Sequence, residues 1–335
     1  MNYPFVNQFI RIGLVSFVFL VSCAKNDELT SNDELEVTSS KNTVTSQKNS
    51  NSSDMNLASI LHYNINVRDF SKSRKFYELL GFVATIDLNI NVTDPEEAQG
   101  LNLPPYSLKT TPLVLFDRFV IDLIKFNDPY DDASPHTDET ALGISTLSLK
   151  SSCVWCDMKL LKRNGYSYEL LAGNTLNPKK IRVQDPDGNI IYIHQVYDGN
   201  VPNIFGKGSV NGLYSTNINV SDLGTAIEFY GEIGFEILSM ENGVADIRLR
   251  DGRKITLTES DSELMPYEKL NHLGIARIAI NSDDLDSDIA ALHAKGIQTY
   301  SPEAIKPTGP FSFIRYVAFE DPDGTVIELV QNTLF

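Results

Sequence analysis

The strongest constraint on the fold is that the chain contains one long pattern twice. Residues 61–82 and 214–235 share Asn-Ile-Asn-Val near their start, an aspartate two residues later, and then Phe-Tyr and Gly-Phe in the same register. Farther along, Asp-Pro-Asp-Gly occurs at 185–188 and again at 321–324, each time before an apolar stretch. Repeats on this scale indicate that one structural unit is built more than once.

Each repeat is predicted to run strand, helix, strands, and then the same order again. In the first strand apolar and polar residues alternate, as expected for a half-buried strand. One face carries Leu61, Tyr63, Ile65 and Val67, and the other carries His62, Asn64 and Asn66. We expect Asp69 to cap the following helix and Gly81 to end it. The 335 residues therefore divide into two domains, 58–197 and 210–332, with a linker at 198–209.

The order of these motifs is similar to that of the vicinal oxygen chelate superfamily. That group includes glyoxalase I, bleomycin- and fosfomycin-resistance proteins and extradiol dioxygenases. The resemblance covers 58–332 and implies an α+β fold of two tandem glyoxalase-like domains. Each domain would contain two βαβββ motifs whose curved mixed sheets form a cleft. Because one fold supports many reactions, the resemblance leaves the reaction open.

The resemblance also implies where a metal would bind. In metal-dependent members, the ligands come from the first strand, the end of the first half, the start of the second half and the last strand. In the first repeat these positions hold His62, Asp122, Thr146 and Tyr192. In the second repeat they hold Ser215, Thr256, Arg277 and Glu328. Neither repeat alone therefore has a complete ligand set.

A fuller set appears when the first half of the first repeat is combined with the second half of the second, as glyoxalase-like proteins do. This grouping joins His62 and Asp122 to Arg277 and Glu328. An imidazole and two carboxylates can bind one divalent ion of zinc, nickel, iron or manganese, and Glu328 would then also serve as the catalytic base. Arg277 opposes this, since a guanidinium repels a dication and pairs well with a carboxylate. A metal site and a metal-free Arg277–Glu328 ion pair both remain open, as does pairing within each repeat.

Two functions follow from these alternatives. The first is a metal-assisted lyase, isomerase or dioxygenase acting on a small oxygenated molecule, and the second is a metal-free module that binds a small molecule. Arg277, Tyr192 and His194 are the candidate ligand-binding residues, although a solvated histidine at a strand end is the plainer interpretation of His194. The net charge is −16 and no lysine- or arginine-rich stripe occurs, so nucleic acid is not expected as a partner.

Residues 90–112 make the first repeat longer than the second and are rich in proline and asparagine. Loops of this kind often shape a ligand pocket. The sequence predicts a lid over the cleft, and a plain surface insertion remains the alternative.

The N-terminal segment is not expected to belong to either domain. The apolar run at 12–21 is too short to span a membrane but suits a signal peptide over 1–22. Leu-Val-Ser-Cys ending at Cys23 is similar to the lipobox of bacterial lipoproteins, which implies lipidation of Cys23 and anchoring in the cell envelope, at the outer membrane. A plain secretory signal or a short anchor is the alternative. Residues 23–57 contain few apolar side chains, as expected of a disordered tether.

Cys153 and Cys156 form a C-x-x-C pair at the start of a predicted helix. The spacing is compatible with redox chemistry or with half of a zinc site, but the chain has three cysteines and no second pair. Two buried small residues, or a local disulfide in an oxidising compartment, are the plainer alternatives.

Overall fold

The computed structural model describes residues 55–197, 207–267 and 269–334. The signal peptide, Cys23 and most of the tether and linker lie outside these ranges. The strands of the first repeat are β1 (Leu57–Asn66), β2 (Val83–Ala84), β3 (Leu88–Val92), β4 (Tyr106–Val114), β5 (Val120–Asp128), β6 (Gly143–Ser151), β7 (Tyr168–Gly173), β8 (Pro178–Gln184) and β9 (Ile190–Gln195). Its helices are α1 (Phe70–Leu80), α2 (Pro95–Gln99) and α3 (Val154–Arg163).

Within the described ranges, the second repeat has a similar order of elements with seven strands, whereas the first repeat has nine. Its strands are β10 (Val210–Val220), β11 (Glu236–Glu241), β12 (Val244–Arg248), β13 (Lys254–Glu259), β14 (Gly274–Ser282), β15 (Ile314–Glu320) and β16 (Val326–Asn332). Its helices are α4 (Leu223–Glu232), α5 (Leu285–Ala294) and a short 3-10 helix (Gly309–Phe311). Among the residues described, no helix is long and apolar enough to cross a membrane.

The strands form two mixed eight-stranded sheets, each of which contains parts of both repeats. Sheet A has the order β15-β16-β14-β1-β5-β4-β2, with β3 paired to β4, and sheet B has the order β11-β12-β13-β10-β6-β9-β8-β7. The antiparallel pairs β1–β14 and β10–β6 join the halves. The expected α+β architecture of glyoxalase-like motifs is confirmed. Within it, the first half of each repeat shares a sheet with the second half of the other.

The helices pack on one face of each sheet, and the opposite face is left for a cleft. Phe76 and Tyr77 of α1 and Tyr230 of α4 are almost fully buried in the core between helices and sheets. The predicted caps of α1 are present. The Asp69 side chain accepts the N–H of Lys72, and Gly81, at φ 136°, ends the helix.

The two recurring motifs meet in the structure. The hydroxyl of Tyr77 donates to Asp185 at 2.9 Å, and that of Tyr230 donates to Asp321 at 3.0 Å. Each aspartate also accepts backbone N–H groups of its own turn. Buried polar groups need such partners. The Phe-Tyr and Asp-Pro-Asp-Gly motifs therefore hold each helix to a distant turn, which is a structural role.

Two details differ from the sequence-based expectation. A β-bulge between Ile60 and His62 interrupts the alternation of β1, so Leu61 lies on the cleft side next to His62 and not in the core beside Tyr63. A bulge sets two successive residues against one residue of the partner strand and so shifts the facing pattern. In addition, β1 begins at Leu57, which the sequence assigns to the tether, and this side chain is only 3% exposed.

Candidate functional site

Residues singled out in the sequence converge on the cleft face of sheet A. Asn64 of β1 lies beside Asp122 of β5 on one side and beside Arg277 of β14 on the other. One row away, His62 and Glu328 flank the same residue of β14. His62, Asp122, Arg277 and Glu328 thus line one cavity, although they come from opposite repeats. The convergence follows from the exchange of half-repeats between the sheets.

The cavity in sheet A has a volume of about 120 Å³. A single water needs roughly 10–15 Å³ on the same measure, so a small organic molecule can be accommodated. The walls are largely apolar and include Ile90, Val92, Leu101, Leu108, Ile124, Phe311, Ile314 and Val330. Tyr106 and Tyr316 add aromatic surface. Such a lining around a few polar groups is typical of ligand sites.

Segments from both repeats close this cavity, and we call residues 90–105 and 305–314 the lid. The two segments are joined at Glu97, whose carboxylate accepts the backbone N–H of Thr308 at 3.1 Å and its hydroxyl at 3.0 Å. The Tyr316 hydroxyl also donates to the backbone oxygen of Glu97 at 3.2 Å. Because residues from both segments line the cavity, the insertion at 90–112 shapes the pocket, as the lid prediction requires.

Arg277 and Glu328 form a buried ion pair in the cavity wall. Nε of Arg277 donates to Oε2 of Glu328 at 2.7 Å, and the two side chains are only 7% and 8% exposed. Burial alone would lower the pKa of Arg277, but the neighbouring Glu328 carboxylate outweighs this effect and raises it. The guanidinium is therefore charged. Within the described residues, its Nη1 is buried without any hydrogen-bond partner, an arrangement that costs free energy unless a ligand supplies an acceptor.

Asp122 and His62 form the second polar group of the cavity. Asp122 accepts a hydrogen bond from the Thr110 hydroxyl and a longer one, at 3.4 Å, from Nδ2 of Asn64. Burial raises the pKa of Asp122, although His62 and Thr110 act in the opposite direction. Burial likewise lowers the pKa of His62, against the attraction of Asp122 and Glu328. The imidazole is therefore neutral near pH 7.

The arrangement does not fit a bound divalent metal ion. Glu328 already accepts from Arg277, and a guanidinium in contact with a would-be ligand repels a dication. Both oxygens of Asp122 accept hydrogen bonds. Across the described parts of the chain, no three histidine, cysteine or carboxylate side chains are grouped to hold a metal. His62, Asp122 and Glu328 share a cavity without forming the ligand shell that the resemblance implies.

The corresponding face of sheet B carries different side chains. Ser215 and Tyr192 flank the same residue of β6, just as His62 and Glu328 flank one residue of β14. The Tyr192 hydroxyl donates to Glu139, which is also paired with Arg182 at 2.6 Å. These polar groups satisfy one another, and both members of the ion pair remain partly exposed.

Tyr192 and His194, the other candidate ligand-binding residues, lie on sheet B, as the grouping of half-repeats requires. His194 stacks on Tyr214, with ring centroids 4.3 Å apart. Burial, together with Lys180 and Lys254, lowers the pKa of His194 to about 4. The imidazole is thus a neutral ring stacked on Tyr214, which differs from the solvated strand-end histidine that was the plainer interpretation.

Sequence reasoning missed several residues that shape the cavity. Asn64 was available from the alternation of β1, since it follows His62 on the same face, but its link to Asp122 was not. Tyr106 and Thr110 both lie in the insertion at 90–112, where no repeat gives a register, and Tyr316 belongs to no recurring motif. The pairing of their strands in sheet A brings these residues to the site.

Part of the sequence and most of the fold match known proteins. Residues 212–329 match the family described as Glyoxalase/Bleomycin resistance protein/Dioxygenase superfamily. Glyoxalase I from Zea mays is similar with a TM-score of 0.58 at 19% identity, over 82% of this chain and 92% of that chain. A candidate dioxygenase from Bacillus subtilis is similar with a TM-score of 0.60 at 12% identity, over 83% of this chain and 86% of that chain. A comparison with curated proteins found no match. At these identities the structural likeness shows the fold alone.

Proposed function

We propose that this protein binds a small, largely apolar molecule in the cavity of sheet A, through an oxygen acceptor and without a metal ion. The unpartnered Nη1 of Arg277 carries the proposal. A guanidinium presents its N–H donors in a rigid fork, and Glu328 takes only the donor on Nε. A ligand oxygen that accepts from Nη1 would satisfy the buried donor and fix the orientation of the ligand.

The charges around the cavity favour a neutral acceptor, such as a carbonyl or hydroxyl oxygen. Glu328 already balances the charge of Arg277, and the carboxyl of Asp122 is near enough to influence the same guanidinium. An anionic ligand would add a further negative charge in a partly dry site, where repulsion is stronger than in water. The apolar walls would stabilise the rest of the ligand by burial, at about 25 cal/mol per Å².

A metal-assisted reaction on a small oxygenated molecule is the second candidate. The observation in its favour is that His62, Asp122 and Glu328 all line one cavity, whereas serine and tyrosine occupy the corresponding first-strand and last-strand positions of sheet B. Glu328 would then be both ligand and catalytic base. This candidate requires Arg277 to release Glu328, because the ion pair occupies the carboxylate.

The deciding experiment measures compound binding to the full chain by thermal shift and calorimetry, with chelator and with added zinc, nickel, iron or manganese. We expect small apolar carbonyl or hydroxyl compounds to bind equally well with chelator. The double variant Arg277→Met/Glu328→Gln should bind them about tenfold or more weakly, since a hydrogen bond to a charged group contributes about 1.5–3 kcal/mol. Binding to Arg315→Gln, which removes an exposed ion pair elsewhere, should be unchanged. Stoichiometric metal uptake that Glu328→Gln abolishes would instead support the second candidate.

We also propose that Cys23 carries a lipid that anchors the protein in the bacterial cell envelope. The lipobox-like sequence and the polar segment after it support this, and a flexible segment of that length spans roughly 30 Å. Cys23→Ala should abolish labelling by a tagged fatty acid and leave the precursor unprocessed or released from the membrane fraction. Labelling that persists in the variant would overturn the anchor.

A further inference from the structure

A second chemically distinctive feature lies on the helix-covered side of sheet B. Cys153 and Cys156 are joined by a disulfide at the start of α3. Cys153 is the N-cap residue of the helix and is partly exposed, while Cys156 lies in the first turn and is exposed. Of the alternatives that the sequence leaves open, the structure contains the local disulfide.

This disulfide contributes little to the stability of the fold. It closes a loop with only two residues between the cysteines, and stabilisation by loop closure grows with loop length. Other contacts already hold this end of α3. The Val154 N–H donates to Gln195 at 3.0 Å, and the Ser209 N–H donates to Asp157 at 2.7 Å. A role in stability therefore does not account for the pair.

The two sulfurs are placed unequally. The N–H of Cys156 donates to Sγ of Cys153 at 3.2 Å, and Cys153 occupies the positive end of the helix dipole. Both effects stabilise a thiolate on Cys153. Cys156 is the more exposed residue of the two. An incoming thiolate therefore reaches Cys156 more easily, and Cys153 is the better leaving group.

A buried carboxyl group lies behind the disulfide. The Ser151 hydroxyl donates to Asp157 and accepts the N–H of Cys153 at 3.1 Å. Burial raises the pKa of Asp157 to about 7. A carboxyl group that titrates near neutrality, one hydrogen-bonded residue away from the disulfide, can hold or release a proton as the cysteines change state.

We propose that Cys153 and Cys156 form a thiol–disulfide exchange site for dithiol compounds. A thiolate of the external dithiol attacks Sγ of Cys156, the bond between the two sulfurs breaks, and Cys153 leaves as a thiolate. The second thiolate of the dithiol then attacks the first sulfur of the dithiol, which is bonded to Cys156 in the mixed disulfide. Cys156 leaves as a thiolate. Two electrons pass from the dithiol to the protein pair, the dithiol becomes a disulfide, and its two protons end on the two cysteines. The reverse sequence oxidises the protein.

The test uses the full chain with dithiothreitol as the probe. Trp155, the single tryptophan of the chain, lies between the two cysteines and is 39% exposed, so its fluorescence reports the state of the disulfide. Peptide-resolved mass spectrometry after alkylation separates the pair from Cys23. We expect reversible reduction of the folded protein, about tenfold or more faster than that of a synthetic Cys-Val-Trp-Cys disulfide peptide, with an unchanged unfolding transition. Reduction that is slower than in the peptide, or that occurs only on unfolding, would overturn the proposal.

A pair of single variants tests the assigned roles. In Cys156→Ser, the remaining thiol of Cys153 should ionise about one pH unit or more below the free-cysteine value of about 8.5. In Cys153→Ser, the thiol of Cys156 should ionise at a higher pH than Cys153 does in the other variant. The readout is the pH dependence of the alkylation rate at each site. If both thiols ionise at the same pH, or if Cys156 ionises at the lower pH, the placement of the thiolate on Cys153 is contradicted.

Discussion

The two clefts of this molecule contain the same kind of ion pair in different surroundings. In sheet A, Arg277 and Glu328 are 2.7 Å apart and only 7% and 8% exposed. In sheet B, Arg182 and Glu139 are 2.6 Å apart but 24% and 39% exposed. The Glu139 carboxylate is also satisfied by Tyr192, whereas Nη1 of Arg277 has no partner among the described residues.

This difference teaches that burial, and not the presence of charged residues, separates the two clefts. A partly exposed pair can exchange its partners with water, so it has little need of a ligand. A buried pair with one donor unsatisfied stays costly until an acceptor arrives. The lid creates this condition in sheet A, because it closes the cavity around the pair.

The largest effect should come from removing one member of the buried pair. Arg277→Ala leaves Glu328 uncompensated, so we expect the free energy of unfolding to fall by about 3–5 kcal/mol. The double variant Arg277→Met/Glu328→Gln should recover most of this loss, because neither member of the pair is then left as a buried charge without its partner. In sheet B, Arg182→Ala should lower the free energy of unfolding by less than about 1 kcal/mol. Urea unfolding measures all three variants, and equal losses at Arg277 and Arg182 would remove the distinction between the clefts.

A smaller effect should come from loosening the lid. Glu97→Ala removes both hydrogen bonds to Thr308, and a bond to a charged group contributes about 1.5–3 kcal/mol. We expect faster hydrogen exchange of the backbone amides at 305–314, with those of β9 in sheet B unchanged. Glu96→Ala, at the exposed neighbouring position, is the matched control. Unchanged exchange in Glu97→Ala would show that the lid is held by other contacts.

The pH dependence should identify the stacked histidine of sheet B. The pKa of His194 is about 4 in the folded protein, and an unfolded histidine has a pKa of about 6.5. Between these values the unfolded state binds more protons, so stability contributed by the neutral ring is lost as pH falls from about 6.5 towards 4. His194→Gln should flatten this part of the stability curve. A ring titration near 6.5 in NMR spectra would contradict the burial of His194.

The smallest effect is expected at Tyr192. Tyr192→Phe removes the hydrogen bond to Glu139, and a partly exposed bond of this kind contributes about 1 kcal/mol or less. Ligand binding in the cavity of sheet A should not change. A binding defect in this variant would mean that the two clefts are coupled, which the separate placement of Tyr192 does not predict.

The sequence predicts the fold well because its signals are local and recur. Both copies of the Phe-Tyr pair and of Asp-Pro-Asp-Gly occur at matching positions, and the structure shows the two motifs bonded to each other. The exchange of half-repeats was suggested by the uneven distribution of polar groups, since His62 and Glu328 complement each other only across repeats. Alternation along strands was sufficient to place these side chains on the cleft face.

The details of the site were not predictable in the same way. A bulge depends on the hydrogen-bond ladder between two strands, so the sequence of β1 alone did not show that Leu61 turns towards the cleft. The alternation of residues along β14 predicts on which face of the sheet Arg277 lies. It does not predict which residue the side chain contacts, because a long side chain has many rotamers. Thr110 and Tyr316 reach the cavity through the pairing of β4 and β15 in sheet A, which no recurring motif indicates.

The exchange of half-repeats between the sheets also has a consequence for the order of folding. Sheet A joins β1, near the start of the described chain, to β14 and β16, near its end. During synthesis the first repeat emerges while β1 still lacks β14 and β6 still lacks β10, and unpaired strand edges are prone to wrong pairing. Contacts between residues so far apart in sequence also form slowly. The first repeat should therefore reach its native state only after the last strand has been made, so that the two copies fold as one cooperative unit and not one after the other.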